Sequence, residues 1–408
     1  MITEVRERIA QSLHNAVWLT LGIERQDYRI ERPFSATLMQ ASQPAVALPP
    51  ETRIAEVFNH PEIARQLLIL GEPGAGKTTM MLELAEDLLE RAIEDKAEPI
   101  PVLVNLSSWK DPKQPIFDWL VGELNVKYRI RKELAQQWIQ ENQLLPLLDG
   151  LDEVAPQHQR ACATALNAWL IEDSEQRPCG VLICCRREEF EQVVQQPLSL
   201  YGAIYLQALA PEQIENYFAQ FDLQEVWPTV QQDATLQELL TKPLFLSIFG
   251  LVQTQRTFSL EAWQSRTTSA DKIEYLFDTY WEAAISRDLI INPIQKQQGV
   301  SSKTYGIKPF PDHGTIHRAL VFAAKALERE SQTELSIDRM QPSWLPEGQQ
   351  KMNYKTLFML FLVSILIMAN SGASHFCKFA LIPQPLLPKR EKGSRIEVPL
   401  PLWERDLG

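Results

Sequence analysis

The chain has 408 residues, enough for two or three domains that each bury their own core. Its 45% apolar and 23% charged content is ordinary for globular proteins and excludes a disordered chain. A net charge of −12 without any cluster of Lys and Arg argues against nucleic acid as a main partner, because phosphate backbones are gripped by such clusters.

In chain order, Val5, Ile9, Leu13 and Val17 give helical apolar spacing over residues 2 to 21, and a Pro-bearing stretch runs on to Pro50. Residues 1–50 read as a helical lead. The charged start, with Glu4, Arg6, Glu7 and Arg8, lacks an apolar core and is no secretory signal. Next comes the apolar run Leu67 to Leu70, a short buried strand, broken by the loop Gly71, Glu72, Pro73, Gly74, Ala75, Gly76, Lys77, Thr78 and Thr79. This is the G-x-x-x-x-G-K-[ST] pattern. Glycines let backbone N–H groups approach phosphate oxygens, and the helix predicted over 77–92 adds its positive N-terminal end. Lys77 would place a charge between β- and γ-phosphates, and the Thr78 hydroxyl would ligate Mg²⁺. A tight turn without ligand is the alternative for the loop taken alone.

Further strands are predicted at 100–106, 144–148, 181–185 and 203–206, alternating with helices at 131–140, 158–171 and 211–221. Such alternation signals a parallel sheet covered by helices, with ligand at the carboxyl ends of its strands. The run Leu144 to Leu148 ends in Asp149-Gly-Leu-Asp152-Glu153. Asp149 is placed to hold the Mg²⁺ water shell, and Glu153, with Asp152 beside it, to orient or deprotonate an attacking water. The alternative is that Asp152 and Glu153 open the next helix as acids at its positive end. Trp109, Trp119, Trp138 and Trp169 read as helix-to-sheet packing. Of the five cysteines, Cys184 and Cys185 are adjacent in a strand and point to opposite faces. No C-x-x-C pair exists, so buried free thiols are expected rather than zinc or a disulfide framework.

These motifs together resemble the NACHT-type P-loop NTPases of the signal-transduction ATPase class, over about Thr52 to Val252. The resemblance is carried by GEPGAGKTT, IPVLVNLSSW (100–109), LLPLLDGLDEV (144–154), VLICCRREEF (181–190), AIYLQALAPEQIENYF (203–218) and LQELLTKPLFLSIF (236–249). It implies a three-layer P-loop fold over 51–255, a helical lid domain over 256–350, and ATP or ADP with Mg²⁺ as cofactors. It further implies that Arg186 senses the γ-phosphate, that Pro243 touches the adenine, and that Thr52 to Phe58 covers the base. A helix-start surface charge and a first-turn helix proline are the plainer readings of Arg186 and Pro243. The histidine with which many family members contact the β-phosphate has no match here, since the surroundings of His313 and His317 differ from that motif.

Residues 354–373, centred on the uncharged run Thr356 to Ala369, approach the length of a membrane helix, with a buried capping helix as the alternative. Basic residues lie on both sides of it and leave its orientation open. Residues 374–408 are Pro-rich and aperiodic, and read as an unstructured tail. The expected function is an ATP-binding, slowly hydrolysing switch that exchanges ADP for ATP and oligomerises, its NTPase part cytosolic and tethered to a membrane by 354–373. A nucleotide-binding scaffold without significant turnover is the alternative.

Overall fold

A computed structural model describes residues 1–10, 35–40, 46–48, 52–171, 176–193, 198–291, 300–302, 306–308 and 312–329. Residues 354–408, with the predicted membrane helix and tail, lie outside these. Among the described residues no single helix is long and apolar enough to cross a membrane. The chain divides into two units, one containing Met1–Ile291 and the other Asn292–Leu400.

The first unit is built on five parallel strands: β3 (Gln66–Gly71), β4 (Ile100–Asn105), β5 (Leu144–Asp149), β6 (Val181–Arg186) and β7 (Gly202–Gln207). Their order across the sheet is β7-β3-β6-β5-β4. Each strand is a near-continuous apolar run because the sheet is covered on both faces. Leu67, Ile69, Leu145, Leu147, Leu182 and Cys184 belong to one core, and Leu68, Leu70, Leu144, Leu148, Ile183 and Cys185 to the other. The two-residue alternation of a strand thus feeds two layers. On the first face lie α1 (Ile2–Ala10), α2 (Ile54–Phe58) and α3 (Lys77–Glu94). On the second lie α4 (Ile116–Tyr128), α5 (Lys132–Gln140) and α6 (Pro156–Ile171). This is the three-layer P-loop NTPase architecture. Trp109, Trp119 and Trp169 are buried in the second core and Trp138 packs against it.

The segment before residue 51 differs from a helical lead. Helix α1 is present, but β1 (Ser35–Gln40) adds to the sheet antiparallel to β7, and β2 (Val46–Ala47) pairs with β1. Single-sequence periodicity misses β1, whose partner β7 lies far along the chain, and the two-residue β2 that pairs with it. Helix α1 is tied down by Val5 and Ile9 in the core and by Arg6, whose Nε and Nη2 meet Glu86 and Glu90 of α3 at 3.0 and 2.8 Å. The opposite edge strand, β4, has its Leu103 carbonyl covered by Lys127 Nζ at 3.0 Å and Tyr128 Oη at 3.1 Å.

After β7 the chain is helical: α7 (Arg187–Val193) has already followed β6, and then come α8 (Pro211–Gln220), α9 (Trp227–Gln232), α10 (Ala234–Leu240), α11 (Pro243–Thr254), α12 (Leu260–Gln264) and α13 (Ser269–Ile291). They share one core running from Leu209 to Ala283, so packing is continuous across residue 255, where the lid was expected to begin. Phe249 lies at its centre, 6.0 Å from Phe218 and 5.1 Å from Phe258, ring to ring. The second unit contains a hairpin of β8 (Val300–Ser302) and β9 (Gly306–Lys308) and helix α14 (His313–Arg329). The thiols of Cys162, Cys184 and Cys185 are buried as expected, whereas Cys179 is exposed.

Candidate functional site

The site lies at the carboxyl ends of β3, β6 and β5. Gly71 closes β3, Glu72 to Gly76 form the loop, and Lys77, Thr78 and Thr79 open α3. Gly74 and Gly76 have φ of +74° and +95°, which L side chains rarely adopt. At Gly74 a Cβ would also lie 3.0 Å from Leu244 Cβ, so the loop needs glycine for two reasons. Lys77 Nζ donates to the carbonyls of Gly71 and Glu72, each at 3.0 Å, folding the ammonium over the loop. Thr78 Oγ1 donates to Asp149 Oδ2 at 2.9 Å, joining the first turn of α3 to the tip of β5 across the intervening β6.

Asp149 is buried, and Gly150, at φ +73°, turns the chain behind it so that Glu153 folds back toward the strand ends. A Cβ on Gly150 would fall 2.6 Å from Glu153 Oε2. That same oxygen accepts from Asn105 Nδ2 at 2.8 Å. Asn105 stands opposite Asp149 in the β4–β5 register. Asp152 points the other way along the site: Oδ2 meets Arg186 Nε at 3.0 Å and Oδ1 accepts the Arg186 backbone N–H at 3.0 Å. Arg186 Nη1 also meets Glu189 Oε1 at 3.4 Å. Burial pushes the Asp152 carboxyl above its ordinary value, against the opposing pull of Lys77 and Arg186. Burial raises the Cys184 thiol beneath the site as well, with Asp149 adding to it.

Pro243 is the first residue of α11, where its missing N–H costs nothing. The next N–H, that of Leu244, donates to the Gly74 carbonyl at 3.1 Å, and Lys242 Nζ reaches Glu72 Oε2 at 3.2 Å. The helical region is thereby docked on the phosphate loop. Helix α2, the segment expected over the base, packs its Ile54, Ala55, Val57 and Phe58 into the α3 face of the core.

Thr78, Asp149, Lys77, Glu153, Asp152 and Arg186 are therefore gathered at one end of the sheet, and Pro243 is brought to the loop from a separate helix. Asn105, Lys242, Leu244 and Glu189 join them without having been singled out in the sequence. Asn105 had a legible signal, an amide ending a buried parallel strand beside the acidic one. A hydroxyl and a carboxylate 2.9 Å apart at the foot of a phosphate loop are hard oxygen donors that suit Mg²⁺. Among the described residues no group of three or more His, Cys, Asp and Glu could hold a metal, so phosphate oxygens and water would complete the shell, as Mg²⁺ prefers.

The fold and the site define a P-loop NTPase domain that binds nucleotide. Residues 65–225 match the family model of the NACHT domain. No curated protein matches the chain. Among solved structures it is similar to the Orc1 protein of Aeropyrum pernix in complex with DNA, at 13% identity and TM-score 0.34, over 76% of each chain. It is also similar to Cdc6p of Pyrobaculum aerophilum, at 12% identity and TM-score 0.28, over 71% of this chain and 78% of that one. Both likenesses are distant.

Proposed function

We propose that the protein is a nucleotide-operated switch, loaded with ADP when closed and with ATP when open, which hydrolyses ATP slowly and oligomerises in the ATP state. The observation that carries this reading is the docking of α11 on the phosphate loop, through Leu244 N–H on the Gly74 carbonyl and Lys242 on Glu72. A loop that only bound nucleotide would need no contact with a helical region beyond the sheet. Here any movement of the loop on exchange is passed directly to the apolar core of the helices.

In this reading Lys77 and Arg186 stabilise phosphate charge, and Thr78 and Asp149 hold Mg²⁺. Glu153 orients and deprotonates water, kept in place by the Asn105 amide, and Pro243 lies against the base. Mg²⁺ held by Thr78 and Asp149 would supply charge neutralisation to the phosphates. The residues contribute positioning and a proton acceptor, and little covalent chemistry is asked of them. Segment 354–373 tethers the switch to a membrane.

The test is the mass of the full chain in solution with ADP and with ATP, using Glu153→Gln to block turnover. A larger species with ATP than with ADP supports the switch; equal masses contradict it. Wild type should turn ATP over slowly and Glu153→Gln should not, while equal rates would remove Glu153 from the mechanism. The full chain should also stay with membranes through a carbonate wash, and recovery in the supernatant would contradict the tether.

A further inference from the structure

Two acids share the Arg186 guanidinium, and they hold it differently. Asp152 takes Nε on one oxygen and the arginine's own backbone N–H on the other, both at 3.0 Å, with its side chain only 6% exposed. Glu189, one helical turn further on, reaches Nη1 at 3.4 Å from a side chain 32% exposed. The first contact is a clamp that fixes where the arginine points. The second is long and half solvated, the kind of pair that contributes little and gives way easily.

Arg186 stands in register beside Gly71, the first residue of the phosphate loop, so their backbones are separated by one strand spacing of about 4.8 Å. The guanidinium thus sits at the lip of the site, and what meets its Nη1 is an acid carried by the protein. A phosphate oxygen is a better partner for a planar guanidinium than a single carboxylate contact at that length.

We infer that Glu189 is a stand-in for the terminal phosphate of a nucleoside triphosphate on Arg186, and that Asp152 is the positioning residue that keeps the guanidinium aimed there in both states. These two acids would then set the discrimination between tri- and diphosphate. The inference rests on the nucleotide-switch reading. With diphosphate bound, Glu189 neutralises Arg186; with triphosphate bound, the terminal phosphate takes its place and Glu189 turns to solvent. The exchange releases α7 from the strand end, since Glu189 lies in that helix's first turn.

The experiment is calorimetric titration of the full chain, first stripped of bound nucleotide, with Mg²⁺, using ADP and the non-hydrolysable β,γ-imido analogue of ATP. Glu189→Gln should tighten the triphosphate analogue by about three- to tenfold and leave ADP unchanged, the size expected for removing a weak competing ion pair. Glu189→Asp, too short to reach, should act in the same direction. Asp152→Asn should weaken the analogue by about tenfold with ADP within about twofold. Glu188→Gln removes the same charge from the same turn and should change neither. Analogue binding that is unchanged or weaker in both Glu189 variants would overturn the inference, as would an equal shift in both nucleotides or the same gain in Glu188→Gln. In those cases the Lys77-dependent binding of wild type remains and the switch reading stands. Binding of neither nucleotide by wild type would overturn both.

Discussion

Glu153 shows how a single side chain in this site is placed by its neighbours. Gly150 supplies a left-handed turn that lets the acid fold back to within 2.6 Å of where a Cβ would be, and Asn105 fixes the carboxylate by one 2.8 Å hydrogen bond. Gly150→Ala should therefore displace the carboxylate and strain the backbone together. We expect it to abolish most turnover, to leave nucleotide affinity near wild type and to cost about 1–2 kcal/mol of stability. Parallel rate, binding and denaturant measurements check this, and an unchanged rate would remove the glycine's role. Asn105→Ala should lower kcat by about tenfold with KM unchanged, the value of one lost positioning hydrogen bond to a charged group. A changed KM at constant kcat would place Asn105 in binding instead. The loop from Gly71 to Thr79 was legible because its internal spacing is the signal. Lys242 carries no such signal, because it acts through Glu72, distant in the chain; Asn105 offers only its place at the end of a buried strand, and Glu189 only its three-residue spacing from Arg186.

Among the elements, the helical region is knit by Asp233. Its Oδ1 caps α10 by accepting from Leu236 N–H at 3.0 Å, and its Oδ2 accepts from Trp263 Nε1 of α12 at 2.9 Å and Lys272 Nζ of α13 at 3.2 Å. Burial alone would push this carboxyl up, but the three donors together hold it below its ordinary value. Its stabilising contribution is therefore present at neutral pH and is lost as pH falls below about 4 toward the depressed folded value. Asp233→Asn should cost about 1–2 kcal/mol at pH 7, and the gap to wild type should close in acid; urea denaturation at several pH values tests both. A gap that persists in acid would assign the loss to packing. Phe249→Ala, at the aromatic centre, should cost about 3–5 kcal/mol by the same measurement and loosen nucleotide binding through α11. The five parallel strands and helices α3, α5, α6 and α8 are legible from the sequence pattern, to within about two residues at each end. Helix α4 was not singled out, because its apolar residues surround it with little periodicity, and its buried Ile116, Phe117, Leu120 and Leu124 face a second core that the sequence does not announce.

For the whole molecule, the sheet is wider than its parallel strands. The β1–β2 hairpin covers β7, which would otherwise present an open edge. Removing residues 1–51 should lower the melting temperature by several degrees and promote association at high concentration, read by scanning calorimetry and sedimentation. A truncated chain as stable and monodisperse as wild type would mean that the hairpin is dispensable. Domain boundaries were the least legible feature, since the core from Leu209 to Ala283 runs through position 255 and one helix cluster looks compositionally like the next.

All of this depends on the loop and the acid gripping a magnesium-bound nucleotide, and the nucleotide content of the purified full chain tests that most directly. The protein is denatured, the released nucleotide is separated by anion exchange and quantified per chain, and Lys77→Ala is treated alongside. Adenine nucleotide at close to one equivalent in wild type, chiefly ADP, and none in the variant is the predicted result. An empty wild-type site that also takes up no added Mg²⁺–ADP would contradict the account.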